Sequence, residues 1–129
     1  MANQFVVQLK NEPGAMANLA EALAARGVDL RAIGGGGIGD SGHVIMTTAD
    51  DATTKQILDE GGYTYIEGES ILAEVDDRPG GMAALSRQLA DAGVNIYGHL
   101  FLGRWGDRAM FAFVVDDPDK ARPILERKA

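Results

Sequence analysis

The chain carries one segment twice, and that repetition constrains its fold more than any other feature. A shift of 66 positions brings Pro13-Gly14-Ala15-Met16-Ala17 onto Pro79-Gly80-Gly81-Met82-Ala83. Over positions 13 to 28, nine of 16 residues are identical to their counterparts without a gap. Unrelated segments agree at only about one position in fifteen to twenty. The two halves therefore share one fold, with units expected over residues 1–68 and 69–129. A chain of 129 residues with 46% hydrophobic and 24% charged residues has enough apolar material for two small cores.

Each half reads in the same order. Phe5 to Lys10 and Ile71 to Asp76 are short apolar runs rich in branched residues, hence strands. A Pro-Gly turn follows. Met16, Leu19, Ala20 and Leu23 then recur at helical spacing, as do Met82, Leu85 and Leu89. Gly27 and Gly93 suit the left-handed position that ends a helix. Second strands are expected over Val28 to Ile33 and Val94 to Phe101, and third strands over His43 to Thr48 and Ala109 to Val115. Asp51 and Asp117 read as N-caps of a second helix, with Pro118 in its first turn. Tyr63 to Ile66 supplies the first half with a fourth strand. The unit is β-α-β-β-α-β, an α+β ferredoxin-like pattern with an antiparallel sheet and both helices on one face. The second copy reaches Lys128-Ala129 directly after its second helix, so it is expected to lack its last strand and to leave an open sheet edge. Intimate association of the halves, or of two chains, would cover that edge.

Composition excludes several functions. With 12 basic against 19 acidic residues, the net charge of −7 disfavours nucleic acid, whose phosphates require clustered Lys and Arg. The absence of cysteine removes disulfides, thiol catalysis and thiolate metal sites. No run of about 18 apolar residues is present, so no membrane span is expected. The start of the chain lacks the features of a signal peptide, and a cytoplasmic location is the expectation. His43 and His99 have no ligand spacing around them, and no serine lies in a nucleophile elbow; neither a metal, a cofactor nor a catalytic residue is assigned. Gly34-Gly35-Gly36-Gly37-Ile38-Gly39 fits G-x-G-x-x-G, but the following Asp40 to Ile45 reads as turn and strand. The helix that would face a pyrophosphate is missing. The run is left as a strand end or bulge, or as a place of close approach by a ligand or a neighbouring backbone.

The turn Asn11-Glu12-Pro13-Gly14-Ala15-Met16 and its copy Asp77-Arg78-Pro79-Gly80-Gly81-Met82 carry the candidate chemistry. A strand ends there, glycine keeps side-chain bulk away, and a helix begins with unpaired N–H groups that accept a small anion. Asp29-Leu30 and Asn95-Ile96, which follow the helices, are expected beside the turns, where Asp29 and Asn95 would hold an ammonium or amide. A turn that merely joins strand to helix is the alternative.

A strand, x-x-Pro-Gly-x-Met, an amphipathic helix and then Gly27-Val28-Asp29-Leu30 or Gly93-Val94-Asn95-Ile96 resemble the ACT domain family. The resemblance is to small proteins made of two such domains in tandem, and Val114 to Ala121 shares it. It implies a non-enzymatic regulatory module that binds an amino acid at an interface between ACT domains, in a homodimer. The ligand would touch Asn11, Glu12, Gly14, Ala15, Met16, Asp29 and Leu30 in one copy. In the other it would touch Asp77, Arg78, Gly80, Gly81, Met82, Asn95 and Ile96. Asp29 departs from the usual amide of the family. The rival is a ligand-free module that regulates an enzyme subunit by contact.

Overall fold

A computed structural model describes residues 3–126 of the chain. The chain falls into two compact units, Met1–Gly68 and Glu69–Ala129. The first contains β1 (Asn3–Lys10), α1 (Ala15–Ala25), β2 (Leu30–Ile38), β3 (Ser41–Thr48), α2 (Asp51–Glu60) and β4 (Tyr65–Glu69). Its sheet has the order β2-β3-β1-β4. The second contains β5 (Ile71–Asp76), α3 (Gly81–Asp91), β6 (Ile96–Trp105), β7 (Arg108–Val115) and α4 (Pro118–Leu125), with the sheet order β5-β7-β6. Among the described residues the second unit has no counterpart of β4. The fold is α+β: two ferredoxin-like units in tandem.

Alternation explains the cores. Phe5 and Val7 of β1 and Val44 and Met46 of β3 point to the helix side, where Leu19 and Leu23 of α1 and Ile57 and Leu58 of α2 meet them. The second core repeats this with Ile71, Ala73, Leu89, Phe113, Ala121 and Leu125. Each buried Leu or Ile contributes roughly 1.5–3 kcal/mol of apolar burial. Gly27 and Gly93 follow α1 and α3 at φ of 70° and 77°, a conformation that costs glycine little, and their N–H groups bond the carbonyls of Ala24 and Ala90. The hairpins turn through Gly39-Asp40 and Gly106-Asp107, with φ of 60° at each glycine, as tight two-residue loops require.

The expected elements differ from the observed ones in instructive ways. β2 does not stop at Ile33 but runs through the glycines to Ile38, because β3 pairs with it along the whole stretch, from Leu30↔Thr48 to Ile38↔Ser41. Likewise β6 continues to Trp105, and β4 begins at Tyr65 and not at Tyr63. The first α2 cap is Asp50 in place of Asp51: Asp50 Oδ1 accepts the Thr53 N–H at 3.0 Å and Oδ2 accepts its hydroxyl at 2.6 Å. These bonds hold the Asp50 carboxyl below its ordinary pKa. Asp51 is the first helical residue. The cause is a bulge. Both units have one at the start of the second strand, but β6 has another between Phe101 and Gly103, which inserts Leu102. The repeat is thus offset by 66 on the first strand and by 67 beyond the bulge, as Phe5↔Met46 and Ile71↔Phe113 show. Asp50 is the true counterpart of Asp117, which accepts the Lys120 N–H at 3.2 Å.

On β4, Tyr65 packs against Phe5, ring centroids 6.1 Å apart, and donates its hydroxyl to Asp59 Oδ1 at 2.6 Å. That hydrogen bond, then burial and the nearby carboxylates, push the phenol from 10.0 up to about 12. The folded state therefore favours the neutral phenol. Its contribution is complete below pH 10.0 and is lost as the pH rises through about 12. Ultraviolet titration of the folded protein should show a phenolate step near pH 12 that is absent from Tyr65→Phe; an unchanged titration would refute the pairing.

Candidate functional site

Two turns of identical geometry join β1 to α1 and β5 to α3. In each the residue before the helix is a glycine at φ 89°, Gly14 or Gly80, with no side chain to cap the helix. The turns close on their own backbone. The Ala15 N–H reaches Glu12 O at 3.3 Å, and the Gly81 N–H reaches Arg78 O at 3.0 Å. A glycine cap leaves the next amides, those of Met16 and Ala17 and of Met82 and Ala83, with no cap oxygen to receive them. The positive end of the helix is therefore presented without an internal anion.

The structure gathers some of the expected residues and separates others. Asn11, Glu12, Ala15 and Met16 line one groove of about 280 Å³, together with Leu9 and Ile33 and the backbone of the glycine run. Asn11 serves the scaffold as well: its Nδ2 donates to Gly39 O at 2.9 Å, tying the β2–β3 hairpin to the turn. Asp29 and Leu30 are not beside that turn in the same unit. α1 returns the chain to the far end of the sheet, so β2 starts opposite Thr48 and reaches the turn only at Ile38, about 25 Å further on. Asp29 lies exposed there with Arg31 at 3.3 Å. Asn95 and Ile96 are placed in the same way, with the Asn95 N–H on Asp116 Oδ1 at 2.9 Å.

The glycine run is explained by approach of a neighbouring backbone and by the floor it leaves. Val44 and Met46 face the helices, so their partners Gly35 and Ile33, and with them Gly37, face the same way. A Cβ on Gly35 would run into the carbonyl of His43, and one on Gly37 would come within 2.6 Å of the Asn11 carboxamide. No helix follows the run, which removes the dinucleotide reading. The outcome is a shelf of bare backbone beside the uncapped start of α1.

In the second unit that shelf is filled. The helix-side residues of β6 at the corresponding places are Phe101 and Arg104, opposite Phe111 and Ala109. Phe101 meets Phe111 edge-on with centroids 5.5 Å apart, and the Arg104 guanidinium lies 4.7 Å above the Phe101 ring. Arg104 Nε also bonds Asp77 Oδ2 at 2.9 Å, so the counterpart of Asn11 is engaged within its own unit. Arg78 pairs with Asp76 at 3.3 Å. Gly81 leaves no room for a Cβ because the carbonyl of Asp76 stands against it. Sequence reasoning missed Leu9 and Ile33 as groove residues, and Phe101 and Arg104 as its closure; it offered the glycine run only as a place of close approach by a ligand or a neighbouring backbone. The signal was present in Gly34, Gly35 and Gly37 of one copy set against Leu100, Phe101 and Arg104 in the other, once Leu102 is allowed as an insertion.

With this geometry in view, solved structures of similar shape can be compared. A protein of Bacteroides thetaiotaomicron superposes with a TM-score of 0.71 at 20% identity, over 97% of this chain and 86% of that one. The regulatory subunit of aspartate kinase from Thermus flavus gives 0.67 at 16% identity, over 98% and 92%. The ligand-free regulatory subunit of aspartate kinase from Thermus thermophilus gives 0.62 at 19%, over 97% and 87%. The likeness is one of fold: two ferredoxin-like α+β units in tandem, as in these regulatory subunits. No protein-family model matches the sequence, and no curated protein matches it. Among the described residues, no helix is long and apolar enough to cross a membrane.

The left-handed glycines anchor both turns. Adding a Cβ at Gly14 or Gly80 meets nothing within 4 Å, so the cost of Gly14→Ala or Gly80→Ala is purely one of backbone conformation. Each should lower unfolding stability by about 1 kcal/mol in urea denaturation; no loss would show that the turn is not held in this conformation.

Proposed function

We propose that this ACT-type protein is a non-enzymatic regulatory module that binds an amino acid in the groove of its first unit. One observation carries the reading: a glycine-floored groove beside an uncapped helix start in the first unit, with the same place filled by Phe101 and Arg104 in the second. The ligand carboxylate would lie on the amides of Met16 and Ala17, and its side chain against Leu9, Met16 and Ile33. Similarity of fold to regulatory subunits of aspartate kinase supports a regulatory role.

Asp29 and Leu30 can join that ligand only from another domain, since their own turn is a sheet length away. β2 is an edge strand, and it carries the exposed Ile33 and Ile38. Antiparallel pairing of β2 with its copy in a homodimer would bring the start of one strand beside the end of the other, and with it Asp29 to the partner's turn. Binding across such a seam would favour one association state through differential affinity. In the second unit Asp77, Arg78, Gly80, Gly81, Met82, Asn95 and Ile96 then hold architecture. An amino acid as ligand, and the acidic, cysteine-free composition, are consistent with a cytoplasmic setting.

Isothermal titration with the common amino acids should give heat for one site per chain. The paired substitution Asn11→Asp with Gly37→Arg copies the Asp77–Arg104 pair into the first unit. It should weaken binding at least about tenfold, or 1.4 kcal/mol, in a folded protein. Unchanged affinity, or two equal sites per chain, would reject the assignment.

A further inference from the structure

The groove of the first unit is sorted by chemistry, and the sorting narrows what it can hold. Leu9, Met16, Ile33 and Val44 supply its side-chain wall, over bare backbone at Gly35 and Gly42. Val44 is buried and Ile33 half exposed, so the apolar wall runs from the core out to the surface. His43 alternates with Val44 along β3, which turns its imidazole to the other face of the sheet and leaves its backbone to the groove. At about 280 Å³ the groove lies just below the usual range of ligand cavities, about 300–1,000 Å³. Formal charge borders it only near the turn, at Lys10 and Glu12. Those two charges are left open. Each arginine among the described residues has a carboxylate within ion-pair distance. Among the same residues neither Lys10 nor Glu12 has such a partner. The second copy shows that the spacing allows a pair. There Asp76 and Arg78 stand at the corresponding places with the signs exchanged, and they close on each other at 3.3 Å.

We infer that the ligand is an α-amino acid with an uncharged aliphatic side chain of valine to leucine size. This class rests on the amino-acid reading of the same groove. Glu12 receives the α-ammonium, and Lys10 joins the amides of Met16 and Ala17 at the α-carboxylate. A cation beside the positive end of a helix is unfavourable until an anion joins it. Opposite charges held open at the turn complement a zwitterion, which carries both signs on one carbon. The wall of Leu9, Met16, Ile33 and Val44 complements an aliphatic chain, whose burial there removes apolar surface from water. A carboxylate or ammonium at the end of the ligand side chain would lose water against that wall with no partner in return. A side-chain hydroxyl is rejected more weakly, because an apolar pocket discriminates little against an isostere that adds one.

Isothermal titration of the full chain with leucine, valine, alanine, aspartate and lysine tests the class. Leucine or valine should bind at least about tenfold more tightly than each of the other three. Ile33 is 50% exposed, so Ile33→Ala leaves the core intact. It should weaken leucine at least about fivefold and leave alanine unchanged, which separates a lost side-chain contact from a general disturbance of the site. Glu12→Gln should weaken leucine at least about tenfold without weakening isocaproate, which is leucine lacking its amino group. Lys10→Gln should weaken both. Tightest binding of aspartate or lysine would overturn the class while leaving an amino-acid site standing. Leucine binding indifferent to Ile33→Ala or to Glu12→Gln would overturn it in the same way. Heat from no amino acid would remove the underlying reading, and the class with it.

Discussion

A single backbone torsion organises each unit. Where β1 and β5 end, glycine at φ 89° turns the chain into a helix without supplying a cap. Any residue with a Cβ is strained in that conformation, and any of the usual capping side chains would occupy the amides that the turn exposes. The twin turns thus trade a conventional cap for a polar end open to solvent or to an anion. The Pro-Gly pair fixes where the sheet stops and where the helix points, and the two hairpin tips are hung from it through Asn11 N–H to Asp40 O and Asp77 N–H to Asp107 O.

Duplication supplied two such turns, and the second strands made them unlike. Glycine at positions 35 and 37 costs strand stability, since it gives the sheet no side chain to pack and a larger entropy to lose. β2 is held despite that by continuous pairing with β3. In the second unit Phe101 and Arg104 recover the packing, with a ring contact, a cation over its face and an ion pair to Asp77. One copy is therefore built for openness beside its helix start and the other for closure. Exposure of the ion pair limits its worth to a fraction of a kcal/mol, so the ring packing is the larger part of that closure.

The fold was legible in the sequence because the helical core positions of the two halves are largely the same residues, which mark both the period and the elements. The ungapped shift failed where the structure has one extra residue. Leu102 bulges out of β6, so every later counterpart moves by one, and Asp51 was matched to Asp117 in place of Asp50. The site was legible only in its turn. Asp29 follows α1 closely in sequence, but the helix reverses the chain and leaves it at the opposite end of the sheet. The glycine run, in turn, has no strand signal of its own. Its pairing with His43 and Val44, and the bare shelf that results, are properties of the neighbouring strand.

The central claim is that the amides following Gly14 receive an anion and those following Gly80 do not. Backbone amide chemical shifts of the nitrogen-15-labelled protein, recorded as the amino acid that binds is added, test this most directly. The account predicts saturable displacement of the Met16 and Ala17 resonances with Met82 and Ala83 unmoved. Displacement confined to Met82 and Ala83, or equal at both turns, would contradict it.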